Sequence, residues 1–295
     1  MRDASTGEGR ETPGESPGGS PARLVEAGFA GCCTQLRVGG SGGVFFELMK
    51  ISVGTSGYSY KEWKGNFYPE DLSAAKMLPY YAERFDTVEI NNTFYRMPDE
   101  KTVVNWGQQV PDGFRFAIKA PQRITHQKKL VAASEDVARL VEVASSLGRK
   151  LGPLLFQLPP YARKDALKLR EFLAVVPAGQ QLAFEFRHAS WFDEEIYSIL
   201  RQRDCALCLA DTDDVADPQS LVVATASWGY LRLRRTEYAQ GEVAAWARRV
   251  QEQKWEEAFV FFKHEDEGKG PRFAVEFLAE LGERAFRGAG ILPAG

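Results

Sequence analysis

Histidine is scarce in this sequence, with only His126, His188 and His264. No two of them stand at H-x-H or H-E-x-x-H spacing, so a transition-metal hydrolase has few nitrogen ligands to draw on. Cysteine is nearly as scarce. Cys32 and Cys33 sit in an atypical N-terminal segment. Cys205 and Cys208 read as C-x-x-C inside CALCLAD, an apolar run with the character of a buried strand. Residues three apart on a strand face opposite sides, so two core thiols are expected rather than a metal or redox pair. With no disulfide framework, a reducing cytoplasm is the expected compartment. No apolar run approaches the ~20 residues of a membrane helix, so no membrane partner is expected. The net charge of -3 gives no general attraction to nucleic acid or anionic lipid, and leaves room for a local basic pocket.

What is present is ordinary globular composition, 44% hydrophobic and 26% charged over 295 residues. The first 48 residues depart from it. Met1–Ser20 is rich in Gly, Ser, Pro and Glu, which cannot bury a core. Asp3, Glu8 and Glu11 break the basic-then-apolar order of a signal peptide. Val44–Leu48 is apolar but short. The expectation is a disordered extension or long-start artefact over 1–48, a single domain over 49–285 and a flexible tail over 286–295, with Met49 as the natural start.

From Met49 onward, strand and helix patterns alternate. Strands are expected at Ile51–Thr55, Thr87–Asn91, Phe114–Ala120, Leu154–Leu158, Leu182–His188, Ala206–Asp211, Tyr230–Arg234 and Ala258–Lys263. Nearly every one is followed by a helical pattern. Ser73, the acidic pair Asp99–Glu100, Ser134 and the acidic run Asp193–Glu195 mark helix starts. The connection from Thr212 to Ser227 carries no convincing long helix. Eight such units over about 240 residues fit a closed (β/α)8 barrel of TIM type with a weak sixth helix. The alternative, an open doubly wound sheet, would usually carry a G-x-G-x-x-G turn after its first strand, and GTSGY is not one. No cofactor is assigned.

Several long motifs carry a family resemblance. ISVGTSGYSYKEWKGNFYP, TVEINNTFYRMP, PDGFRFAIKAP, ITHQKKL, LGPLLFQLPP, FEFRHASWF, CLAD and YLRLR together resemble the YecE-like family, also called domain of unknown function 72. The resemblance covers Met49–Leu281 and implies a TIM-type barrel rather than a particular reaction. Some relatives end the eighth strand in an Asn-rich turn, where this chain has FFKHEDEGKGP.

Sites of such barrels lie at the C-terminal strand ends. The polar residues there are Thr55 and Tyr58, Glu89 with Asn91 and Asn92, Lys119, Gln157, Glu185 and Arg187 with His188 and Trp191, Asp211, Arg232 and Arg234, and Lys263 or His264. Alternation places Ala183, Glu185 and Arg187 on one strand face and Tyr230, Arg232 and Arg234 on one face of another. Faces toward the helices should be apolar, so Glu185, Arg187 and Arg232 are expected to point into the barrel. One reading is a closed ion-pair network that fixes barrel register. The other is a pocket that accepts an anion, since carboxylates Glu89, Glu185 and Asp211 face Lys119, Arg187, Arg232 and Lys263.

Three chemistries fit the set. Glu89 and Glu185, with Lys119 and Asp211, act as acid and base on a phosphorylated, nucleotide-like or sugar-like ligand that the arginines clamp. Alternatively Glu89, Glu185, Asp211 and His264 hold a metal for phosphodiester hydrolysis, which the histidine shortage disfavours. A Schiff-base lysine, Lys119 or Lys263, needs no carboxylate nearby, and this set has three. Trp63, Trp191, Phe94 and Tyr95 can stack on a ring or merely pack over the barrel mouth. His126, beside Lys128 and Lys129, lies in a basic loop. The same pocket also suits a protein that binds a small anionic ligand or a nucleic-acid fragment without turnover. The oligomeric state is left open.

Overall fold

The structure, a computed structural model, describes residues 32–38, 44–214, 222–263 and 266–282, with 32–38 and 44–48 as backbone alone. Strand β1 (Cys32–Val38) runs antiparallel to the first half of β2 (Val44–Ser56) and lies off the main path of the sheet. The rest of the sheet is parallel. Strands β3 (Thr87–Ile90), β4 (Arg115–Lys119), β5 (Leu151–Gln157) and β6 (Leu182–Glu185) follow in sequence order on one side of β2. On the other side lie β10 (Glu257–Phe262) and β9 (Trp228–Leu233).

The sheet closes through one divided segment. β7 (Ala206–Leu207) pairs with β6, and β8 (Leu209–Asp211) pairs with β9. Cys208, between the halves, still donates its backbone N–H to the Phe184 carbonyl at 2.8 Å. Counting the divided segment once, eight parallel strands form the closed (β/α)8 barrel that the alternating pattern predicts. Helices α1 (Ala74–Ala82), α2 (Glu100–Gln108), α3 (Ser134–Ser145), α4 (Ala166–Val175), α5 (Glu194–Gln202), α6 (Glu242–Gln251) and α7 (Lys269–Glu280) cover it. Several starts follow local chemistry, as where Asp99 accepts from the Thr102 N–H at 2.8 Å and Asp193 from that of Ile196 at 3.1 Å. The described part of the sixth connection, 212–214 and 222–227, contains no helix.

Alternation sorts the side chains into two apolar groups. Val53, Val88, Phe156, Phe184, Leu231 and Val260 point out to the helices. Ala117, Leu155, Ala183, Trp228, Tyr230, Phe259 and Phe261 fill the barrel interior. Cys205 belongs to the outer group and Cys208 to the inner one, so the two thiols do lie on opposite faces. Burial pushes the Cys205 thiol up to about 12, which suits an inert core thiol. Gly54 is required by crowding: a Cβ there would sit 2.0 Å from the Thr87 carbonyl oxygen. The aromatic filling of the interior stops below the C-terminal strand ends, where charged groups take over.

Candidate functional site

Arg232 sits at the centre of that charged layer, one residue before the end of β9. Tyr230 and Arg232 share the inward face because they are two apart on the strand. The guanidinium spans two neighbouring carboxylates. Nη1 lies 2.5 Å from Glu185 Oε2, and Nη2 lies 2.9 Å from Glu89 Oε1. All three side chains are buried, with Glu89 0% and Arg232 2% exposed.

Each carboxylate is further engaged. Glu89 accepts from the Tyr230 hydroxyl at 2.7 Å and from Asn91 Nδ2 at 3.1 Å. Glu185 accepts from Gln157 Nε2 at 2.8 Å and Arg187 Nε at 3.0 Å, and Arg234 Nη1 lies 3.8 Å away. Burial alone would raise both carboxyl groups, but Arg232 and the surrounding donors hold each below the usual carboxylate range. Lys119, at the end of β4, moves the other way. Burial and the nearby Arg232 charge bring its ammonium down to about 8, against the opposing pull of Glu89 and Glu185. Its Nζ lies 4.2 Å from the centre of the Phe94 ring.

Above this layer opens a cavity of about 560 Å³. Five cationic side chains line it, Lys119, Arg187, Arg232, Arg234 and Lys263, and no carboxylate does among the described residues. The Nε–H groups of Arg232 and Arg234 are buried without an acceptor among the described residues. Burial and the Lys119 charge lower the pKa of His126, which also reaches the cavity wall.

Of the residues expected from sequence, Glu89, Asn91, Asn92, Lys119, Gln157, Glu185, Arg187, Arg232 and Lys263 converge here. Others do not. Asp211 points outward, where it accepts from Trp246 Nε1 at 2.9 Å and Arg235 Nε at 2.7 Å, so it is not part of the acid–base group. Asp211 is level with the outward Leu233, and Leu207 and Leu209, which precede it at period-two spacing, also belong to the outer group. Trp191 is buried, stacked 4.3 Å from Phe186 and donating to the Ala162 carbonyl at 2.7 Å, so it packs rather than faces ligand. His188 Nδ1 accepts from the Ser190 backbone N–H at 3.1 Å and opens the short helical turn Ala189–Trp191. Tyr58 lies against Tyr81, at 6.3 Å between ring centres, and it is Tyr60 that reaches the cavity. His264 falls outside the described residues. Among the described residues, no group of three or more His, Cys, Asp or Glu is placed to hold a metal ion. Arg234, two residues beyond Arg232 on the same face and named with it among the strand-end residues, also lines the cavity. Sequence reasoning missed Tyr60 and Gln122, which lie in loops without period-two alternation.

Fold and site together define a TIM-type barrel with a cationic cavity at the C-terminal strand ends. The chain matches the family described as Protein of unknown function DUF72 over residues 52–293, and it belongs to that family. It is 33% identical over 113 residues to the UPF0759 protein YecE of Escherichia coli K12, covering 38% of this chain and 42% of that one. It is 26% identical over 155 residues to the UPF0759 protein YunF of Bacillus subtilis, covering 50% and 54%. The chain thus spans about half the length of these curated relatives. A solved DUF72 family structure from Thermotoga maritima superposes with a TM-score of 0.70 at 28% identity, covering 79% of this chain and 99% of that one. Another from Enterococcus faecalis gives 0.63 at 19% identity, covering 79% and 98%, and supports the fold alone. No described helix is long and apolar enough to cross a membrane.

Proposed function

We propose that the cavity binds a small anionic ligand carrying a phosphate or similar group, and that Lys119 is its proton-transfer group. The observation that carries this reading is the lining: five cations around one cavity of about 560 Å³, with the carboxylates beneath them. Guanidinium forks match the oxygens of a phosphate, and the volume falls within the ~300–1,000 Å³ of small-ligand clefts. Glu89 and Glu185 carry hydrogen bonds on both oxygens and are held ionised, which makes them poor proton acceptors near neutral pH. Their role in this reading is to fix the guanidinium of Arg232. Lys119, with a pKa of about 8, is poised to lose and regain a proton near neutrality.

A thermal-shift series with inorganic phosphate, sugar phosphates, zinc and manganese tests the reading. A ligand at one hundred times its Kd stabilises by about 2.7 kcal/mol. In a domain of this size each kcal/mol moves Tm by roughly 2–4 °C. Phosphates are expected to raise Tm, and Arg187→Ala is expected to reduce the rise. A large shift with zinc or manganese and none with phosphates would replace this reading with metal-dependent hydrolysis.

A further inference from the structure

We infer that the anion held in this cavity is the phosphate of a nucleotide, whose base stacks on Tyr95 at the rim. The inference rests on the anion-binding reading above and names its ligand class. Tyr95 is 78% exposed, more than any other large hydrophobic side chain among the described residues. An exposed tyrosine alone means little. This one lies on the wall of the cationic cavity, together with Tyr60 and Phe94.

The platform that carries Tyr95 is fixed. The Thr93 hydroxyl lies within hydrogen-bonding distance of the Ile90 carbonyl at 3.0 Å and the Lys119 carbonyl at 2.7 Å, pinning the turn to two adjacent strand ends. The Tyr95 backbone N–H donates to the Asn92 carbonyl at 3.1 Å. Phe94 stands edge-on to Tyr95, with ring centres 5.2 Å apart and planes at 87°, and packs at 4.9 Å against His126. A ring so exposed on an ordered turn has stacking surface to offer, at little cost in rotamer entropy because Tyr has few torsions to fix.

Cations that hold a phosphate next to aromatic rings that stack a base are the two components of sites that bind single-stranded nucleic acid. A sugar phosphate would use the cations and leave Tyr95 in water. The amides of Asn92 and Gln122, also on the wall, bring both donors and acceptors for a base edge. The shared chemistry is a nucleoside monophosphate unit, present in a free nucleotide and at the phosphorylated end of a single strand.

The test is titration calorimetry of the full chain at pH 7 and low salt. The ligands are inorganic phosphate, ribose 5-phosphate, the four common nucleoside 5′-monophosphates, adenosine, and a 5′-phosphorylated tetranucleotide. At least one monophosphate should bind about tenfold or more tightly than ribose 5-phosphate, as base stacking on an aromatic side chain would give. Tyr95→Ala should erase that advantage while ribose 5-phosphate affinity stays unchanged, and Tyr95→Phe should restore it. A tetranucleotide that binds more tightly than the monophosphates assigns the site to a strand end, and one that binds more weakly assigns it to the free nucleotide. Equal affinity for ribose 5-phosphate and every monophosphate overturns the inference and leaves the anion site standing. Adenosine binding as tightly as its monophosphate also overturns it. Absence of binding by every phosphate removes the anion reading itself.

Discussion

Arg232 Nη1 and Glu185 Oε2 meet at 2.5 Å across the divided Ala206–Asp211 segment, with both side chains buried. Three other cations, Arg187, Arg234 and Lys119, surround that contact. The carboxylate therefore holds together a cluster that would otherwise repel itself.

Neutralising Glu185 should be costly. With Glu185 wedged among arginines, Glu185→Gln should lower unfolding stability by about 3–5 kcal/mol, because it strands buried positive charge. Denaturant melts measure this, and a loss below about 1 kcal/mol would contradict it. The pH dependence follows from the depressed folded pKa. Glu185 contributes its stability above the ordinary carboxylate pKa, and that contribution is lost as pH falls toward the lower folded value. Wild type should therefore lose more stability than Glu185→Gln in that acid range.

Lys119 makes anion binding depend on pH. Its pKa of about 8 means that it is mostly charged at pH 7 and mostly neutral at pH 9. A bound anion favours the charged form, so binding should take up a proton near pH 8 and affinity should fall between pH 7 and 9. Lys119→Met should flatten that profile. Calorimetry in buffers of different ionisation heat measures the proton uptake, and a profile unchanged by the substitution would remove Lys119 from the account.

Asp211 should behave as a structural residue. Asp211→Ala leaves Trp246 Nε1 and Arg235 without their shared acceptor and should cost about 1–3 kcal/mol of stability. Phosphate affinity of the folded variant should stay within about twofold of wild type. A tenfold loss of affinity would return Asp211 to the site.

The barrel beginning at Met49 is proposed to suffice for folding. Residues 1–48 lack the composition of a core, and the Cys32–Val38 strand lies off the main path of the sheet. The 49–295 chain should unfold cooperatively, with Tm within a few degrees of full length. Loss of a cooperative transition would show that the hairpin is needed.

Much of this was legible because a parallel barrel has a strict period. Glu185, Arg187, Arg232 and Arg234 announced their inward face by being two residues apart on otherwise apolar strands. The convergence of Glu89 on Arg232 follows from closure, which brings residues 143 positions apart within 2.9 Å. Asp211 follows Leu207 and Leu209 on the outward face, so alternation carried unbroken through Cys208 already places it outside. It was read as a site residue from its place at a strand end rather than from its phase. Trp191 and His188 were read as site residues from their place after a strand. Both serve the turn that follows, by stacking and capping. Loop residues such as Tyr60 and Gln122 carry no period, so their place on the wall depends on the folded path of the loops.

The central claim is that the cationic wall exists for a ligand rather than for stability, and Arg234→Ala tests it most directly. Burial and the nearby Arg232 charge both lower the Arg234 pKa, so its charge is a burden on the folded state. Phosphate titration and thermal melting of wild type and Arg234→Ala should be run side by side. The account predicts that Arg234→Ala keeps or slightly raises Tm and loses about tenfold or more in phosphate affinity. A lower Tm with phosphate affinity unchanged, or no phosphate binding by wild type, would make the charged layer a structural network.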